Sequence, residues 1–285
     1  MQDRTPGRLR VALQGELGSF SDEAIQQLWG PDVERLPYRD FADVTASVAS
    51  GVADLGVLPI ENTIIGSIAG SHDAISAMPG LFACAETVVA VHHCLLAAPG
   101  TSIEQVTTVL SHPIALAQCG RFFAEYPQLE VHPVYDTAGA AMDVSRVADP
   151  TIAAVASVRA AHHYQLDVLK ANIEDRDDNQ TRFLGFARAP RALAAGTPAR
   201  TMVIITTNDQ PGALLRALTP LAEHGVSIRR LESRPTGEPW GYRFFMEFDH
   251  QAGDDDADAV VRDISAAADD TRLLGTYARW KPIRA

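Results

Sequence analysis

Apolar and polar positions change their spacing several times along the chain, and each change marks an element. The stretch "LRVALQG" (9–15) is apolar without alternation, which predicts a buried strand. "SDEAIQQLW" then takes helical spacing, with Ser21 placed to cap it and Asp22 and Glu23 in its first turn. "FADVTASVASG" (41–51) is helical and stops at Gly51. "ADLGVLPIEN" (53–62) reads as a strand ending in Pro59, and residues 87–100 as one long β-rich segment. Residues 106–123 give strand, turn and helix, and 151–166 repeat that order. Strands alternating with helices predict an α/β fold with mostly parallel sheets.

The run at 87–97 lies between two groups of βα units, and a strand at 181–187 returns late. Two lobes follow, roughly 8–86 with 171–188, and 87–170, with a ligand cleft between them. Residues 189–199 lose periodicity around Pro190, Gly196 and Pro198 and read as a linker. From 200 to 282 the order becomes strand, helix, strand, strand, helix, strand: a ferredoxin-like βαββαβ unit.

Composition narrows the function classes. With 285 residues and 46% apolar content, the chain can bury more than one core. No apolar run approaches the ~18 residues a membrane helix needs. Met1–Arg8 reads as a short flexible leader. Three scattered cysteines (Cys84, Cys94, Cys119) are too few for a disulfide framework and read as reduced thiols of a cytoplasmic protein. A net charge of −12 argues against nucleic acid or an anionic membrane as partner. An anionic small substrate would need a local positive pocket.

Polar groups gather where strands end and helices begin. Glu61, Asn62 and Thr63 follow one strand, and Ser111 follows another with Gln118 on the next helix. Thr181 and Arg182 open the late strand, and Ser19 and Ser21 stand at a helix start able to receive an anion. Each alone suits a turn or cap; together they outline a polar cleft. The pairs His92-His93 and His162-His163 lack metal-ligand spacing, and the acidic run Asp254-Asp255-Asp256 with Asp258 suits a helix start. No dinucleotide, Walker or nucleophile-elbow motif occurs, and neither metal nor cofactor is implied.

Six motifs in order resemble the prephenate dehydratase family across nearly the whole chain: "GELGSFS" (15–21), "PIENT" (59–63), "SHPIALAQC" (111–119), "NQTRF" (179–183), "GALL" (212–215) and "ESRP" (232–235). The last two resemble those of its ACT regulatory domain. "DTAGAAMD" (136–143) is similar to plant-type members, the arogenate dehydratases. Thr63 stands where the family usually has serine, and Ile64, Ile65, Ile114 and Leu17 also depart from its pattern, which leaves substrate preference open.

The resemblance implies a two-lobe, periplasmic-binding-protein-like catalytic domain. It also implies decarboxylative dehydration of prephenate to phenylpyruvate in phenylalanine biosynthesis. Thr181 would hydrogen-bond the leaving hydroxyl and relay its proton. Asn62, Ser111 and Gln118 would orient the substrate through neutral hydrogen bonds, with Glu61 either in proton transfer or in structural pairing. Arg182 would clamp the surviving carboxylate, beside Thr63, Ser19 and Phe183. The effector L-phenylalanine would bind Asn208, Gly212, Ala213 and Leu214 together with Glu232, Ser233 and Arg234, between paired ACT domains of a homodimer or homotetramer. Three alternatives stay open: arogenate as substrate, a non-enzymatic two-lobe sensor, and decarboxylation without aromatisation.

Overall fold

A computed structural model describes residues 8–253 and 255–281. The leader expected at Met1–Arg8 lies outside them except for Arg8. Asp254 also lies outside, and Asp255 and Asp256 are described only as the start of the last helix.

The first lobe is built from β1 (Arg10–Gln14), α1 (Phe20–Trp29), β2 (Glu34–Tyr38), α2 (Phe41–Ser50), β3 (Leu55–Asn62), β4 (Gly66–Ser67), α3 (Ala69–Ser76) and β5 (Phe82–Ala90). Helix α1 starts earlier than its spacing suggests. Gly18 turns the chain at φ +83°, and Ser19, not Ser21, caps the helix by accepting from Asp22 N at 3.4 Å. Helix α2 does end at Gly51, in the left-handed conformation. Strand β3 runs on past Pro59 to Asn62. Pro59 falls opposite Phe183, where the pairing register shifts, and an irregular ladder tolerates a residue without an N–H.

The apolar stretch 87–100 is two strands, not one. Strand β5 stays in the first sheet through Ala90, and β6 (Cys94–Ala97) opens the second. The crossing therefore lies at residues 91–93, and 87–90 belong to the first lobe. The second lobe continues with β7 (Thr108–Ser111), α4 (Pro113–Ala117), α5 (Gly120–Glu125), β8 (Glu130–Pro133), α6 (Thr137–Val147), β9 (Ile152–Ala156), α7 (Val158–Tyr164) and β10 (Asp167–Lys170). The chain then returns to the first sheet as β11 (Gln180–Ala187).

The strand orders are β2-β1-β3-β11-β5, with β4 paired to β3, and β10-β6-β9-β7-β8. Pairs made within consecutive βα units are parallel. Strand β11 runs antiparallel to both β3 and β5, and β6 antiparallel to β9 and β10. Both sheets are thus mixed, because the strands that carry the chain between lobes return in the opposite sense.

The C-terminal unit comprises β12 (Pro198–Thr206), α8 (Ala213–Glu223), β13 (Ile228–Pro235), β14 (Tyr242–Gln251), α9 (Asp255–Ala267) and β15 (Asp270–Ala278), in the sheet order β13-β14-β12-β15. Its two helices cover one face, where Val203, Ile205, Leu221, Met246 and Ile264 form a core. The other face is not free. Met202, Ile204, Phe245, Leu274 and Tyr277 merge with Leu58, Ile60 and Phe186 of the first lobe into one core. Gly275, at φ +145°, brings β15 so close to Ala83 that a Cβ would overlap the Ala83 backbone. Among the described residues no helix is long and apolar enough to cross a membrane.

Candidate active site

A cleft of about 170 Å³ lies between the two lobes. Strand alternation decides what faces it. On β11, Thr181 and Phe183 point into the cleft, and Arg182 between them points to the opposite face. Thr181 pairs in register with Asn62 at the end of β3, so the two side chains meet at one sheet end.

Their contacts begin a hydrogen-bond chain across both lobes. Asn62 Nδ2 donates to Thr181 Oγ1 at 2.9 Å and to Asn179 Oδ1 at 2.8 Å. Asn62 is itself oriented, since its Oδ1 accepts from the Ile64 and Ile65 amides at 2.9 and 3.1 Å. Asn179 Nδ2 donates to Gln118 Oε1 at 3.2 Å, and His93 Nε2 lies 3.1 Å from the same oxygen. Gln118 caps the C-terminal end of α4 in the second lobe, so the chain spans the cleft. Because Asn62 donates to Thr181 Oγ1, that hydroxyl keeps its own proton to give.

Side-chain hydrogen bonds from the second lobe to the first close the far side. Tyr135 Oη donates to Glu16 at 2.6 Å, Ser157 Oγ to the Gly18 carbonyl at 2.7 Å, and Arg159 Nε to Asp22 at 3.0 Å. A Cβ on Gly18 would lie 2.8 Å from the Ala160 Cα, so only glycine permits this approach. Ser19 and Phe20, at the start of α1, are thereby held at the cleft wall.

The electrostatics of the cleft are one-sided. Asp136, the N-cap of α6, is the only acid lining it among the described residues, and no lysine or arginine lines it. Burial raises the Asp136 carboxyl above its ordinary pKa, against the amide hydrogen bonds from Gly139 at 2.8 Å and Glu16 at 3.3 Å. Burial lowers His93, opposed by its bond to Gln118, and burial also lowers His112. Both imidazoles are therefore favoured neutral at pH 7.

Several residues expected at the site lie elsewhere. Arg182 does not face the cleft. Its Nη1 and Nη2 donate to Glu247 of β14 at 2.7 and 2.9 Å, Nη1 also to Glu86 at 3.2 Å, and Nε to Glu61 at 3.2 Å. Burial disfavours the guanidinium charge, but Glu247 and Glu86 outweigh it and its pKa is raised. Glu61 shares that face and pairs with Arg182 instead of reaching the cleft. Ser111 is fully buried and donates to the Val155 carbonyl at 2.6 Å. Thr63 Oγ1 ties a turn, donating to the Asp178 carbonyl and accepting from the Gln180 amide, both at 2.9 Å.

The residues expected to hold an effector form two groups. Gly212 takes φ +79° before α8, Ala213 is buried, Leu214 packs into the helical core, and Asn208 donates to Asp269 at 3.0 Å. On β13, Glu232 pairs with Arg230 and accepts from Ser67 at 2.7 Å, Ser233 is exposed, and Arg234 donates to Asp73 at 2.6 Å. Glu232 and Arg234 thus face the first lobe.

Sequence reasoning missed Asn179, His93 and Asp136. Asn179 stands two residues from Thr181, which on a strand means the same face. Asp136 is followed three residues on by Gly139, the spacing of a side-chain cap. His93 carries no local signal.

Comparison with known proteins agrees with this architecture. The family model "Prephenate dehydratase" matches residues 11–191, and the model "ACT domain" matches 201–268. A bifunctional chorismate mutase/prephenate dehydratase of Enterobacter agglomerans is 31% identical, covering 94% of this chain and 70% of that one. Arogenate dehydratase 2 of Petunia hybrida is 35% identical, covering 95% and 72%. A solved prephenate dehydratase of Arthrobacter aurescens in complex with L-Phe superposes with a TM-score of 0.87 at 30% identity, covering 95% and 90%. A solved chain described as GqqA, a novel type of quorum quenching acylase, superposes at 0.85 with 33% identity, covering 96% and 98%. With a two-lobe region matched from residue 11 to 191 and the βαββαβ unit after it, the chain belongs to the prephenate dehydratase family and carries a C-terminal ACT domain.

Proposed function

We propose that the chain is a carbon–oxygen lyase that turns prephenate into phenylpyruvate with loss of CO2 and water, in the cytoplasm. The observation that carries this reading is the Thr181–Asn62–Asn179–Gln118 chain spanning a cleft that no lysine or arginine lines among the described residues. The bond to the ring carboxyl breaks and its electron pair enters the ring. The C4–O bond breaks, and the departing hydroxide takes up a proton and leaves as water.

Thr181 meets the departing oxygen. Its hydroxyl is too weak an acid to act alone, but Asn62 donates to its oxygen and so supports proton relay. Gln118, oriented by Asn179 and His93, offers its amide N–H groups to the substrate. Neutral donors suit the ring carboxylate, since a cation there would stabilise the charge that must vanish. Phe183 and Phe20 keep water away from it. The surviving carboxylate meets the first turn of α1 at Ser19.

The ACT domain supports regulation by L-phenylalanine, and the solved relative with L-Phe bound is consistent with it. Residues 208–214 of one chain and 232–234 of another would complete the effector site in a homodimer or dimer of dimers. The experiment is an assay of purified protein with prephenate, following phenylpyruvate by absorbance and CO2 release. Formation of neither product would end this reading. CO2 without the aromatic product would replace it with non-aromatising decarboxylation.

A further inference from the structure

A chain of net charge −12 attracts a small anion only where cations gather locally. They gather outside the cleft. A hollow of about 370 Å³ lies where the C-terminal unit meets the first lobe, and Arg182, Arg200, Arg229, Arg279 and Lys281 line it. The sheet of the C-terminal unit explains the gathering. Arg200 on β12 and Asp249 on β14 are partners in register. Arg229 falls in the register shift of β13, between Ile228 and Arg230, and reaches Asp249 from there. Arg279 follows β15, which neighbours β12.

The charges of the hollow do not cancel. Arg182 is matched by Glu247, Glu86 and Glu61. Elsewhere on the wall, Asp249 takes Arg200 at 2.8 Å, Arg229 at 2.9 Å and Arg279 at 3.0 Å. Even with Arg200 granted to Glu86 at 3.2 Å, one carboxylate serves two guanidiniums. Lys281 lines the same hollow and makes no ion pair among the described residues. Two positive charges are thus in excess. The side chains of Arg229 and Arg279 are 52% and 41% exposed, so each keeps donors free for a ligand.

We propose that this hollow is a binding site for a small divalent oxyanion, a dicarboxylate or a phosphate, separate from the cleft. Two negative charges match the excess, and the planar forks of Arg229 and Arg279 suit paired oxygens. The size of the hollow suits a small metabolite. Nucleic acid is opposed by the acidic charge of the rest of the chain. The walls come from both units: Glu86 and Arg182 from β5 and β11, the other cations from the C-terminal unit. The anion therefore sits at their junction, on the face of β11 opposite Thr181.

The test is isothermal titration calorimetry on the full chain. Inorganic phosphate and succinate are separate probes, with ionic strength held constant by sodium chloride. The wild type is expected to bind at least one probe saturably, one per chain. Phosphate alone would identify a phosphoryl ligand, succinate alone a dicarboxylate, and both the charge pattern they share. Arg229→Gln and Lys281→Gln are each expected to weaken binding by about ten-fold or more, the loss of one charge-assisted hydrogen bond. Both side chains are exposed, and thermal melts report whether the fold is kept. If one variant does not fold, Arg279→Gln takes its place. None of these residues lines the cleft, so an anion held there instead would bind variants and wild type alike. Unchanged affinity in a folded variant, or no saturable binding of either probe, would overturn the assignment. Turnover does not enter the readout, so the result is independent of the lyase reading.

Discussion

Replacing Arg182 with methionine separates a structural arginine from a substrate clamp. The guanidinium bridges Glu247 and Glu86, which are 1% and 6% exposed, and it is the principal cation for Glu247. Without it, Glu247 keeps only Arg230 at 3.5 Å and Arg200 at 3.8 Å. Glu86 keeps Arg200 at 3.2 Å and the Trp280 amide at 2.8 Å. Removing one partner of a buried ion pair costs about 3–5 kcal/mol, because a carboxylate is stranded out of water. Two residual cations place this case near the lower end, about 3 kcal/mol. For a chain of this size that lowers the melting midpoint by on the order of 10 °C. Thermal melts and steady-state kinetics on prephenate measure the two roles separately. The expected result is a lower midpoint with KM little changed. The double variant Arg182→Met/Glu247→Met should regain most of the loss, since the most buried carboxylate is no longer stranded, Glu86 keeps Arg200 and Glu61 is open to water. An unchanged midpoint with KM raised about ten-fold or more would restore the clamp and refute the facing of Arg182.

The same cluster makes stability depend on pH. Burial pushes Glu247 up, but Arg182, Arg230 and Arg200 together hold it below its ordinary 4.5, and Asp249 is likewise lowered through Arg200 and Arg279 after burial is overcome. The folded state therefore binds fewer protons than the unfolded chain. The stabilisation is fully present above about pH 4.5 and is lost as pH falls through the lower folded values. Melts at pH 7, 5, 4 and 3.5 should show the drop only in the last two, and a flat profile would contradict it. Gly275→Ala should destabilise the docked ACT domain, since β15 cannot retreat from Ala83 without opening the shared core. A melt superimposable on the wild type would show that the two units are not held so closely. L-Phenylalanine is expected to change turnover of prephenate, and Glu232→Ala to weaken that response. An identical dose–response curve would exclude β13 from the effector site. Point variants serve better than truncation after residue 199, because truncation would expose Leu58, Ile60 and Phe186.

Much of the fold was legible from spacing. The βαββαβ order of residues 198–278 follows from alternating strand and helix periods, and the late strand β11 announced a return to the first lobe. Short, exposed strands were not legible. Residues 130–133 and 167–170 carry no apolar run because their sheet edges face water. Helix α6 is rich in alanine and glycine, so its buried face has little hydrophobic contrast.

At the site, Thr181, Asn62, Gln118, Phe183 and Ser19 meet in the cleft as their strand-end positions suggested. Arg182 could have been turned away by period-two alternation alone, since it adjoins Thr181. What no local pattern reveals is its partner. Glu247 stands 65 residues on, in another domain. Ser111 looked catalytic because strand ends carry function, yet its hydroxyl satisfies a carbonyl within its own sheet.

Turnover of prephenate by Thr181→Val, beside wild type and Thr181→Ser, bears most closely on the proposed chemistry. Valine keeps the shape of Thr181 and leaves Asn62 bonded to Asn179. The expected result is a loss in kcat of about 10²-fold or more with KM changed little, and substantial recovery in the serine variant. Near-normal kcat in Thr181→Val would show that the leaving oxygen is assisted by another group.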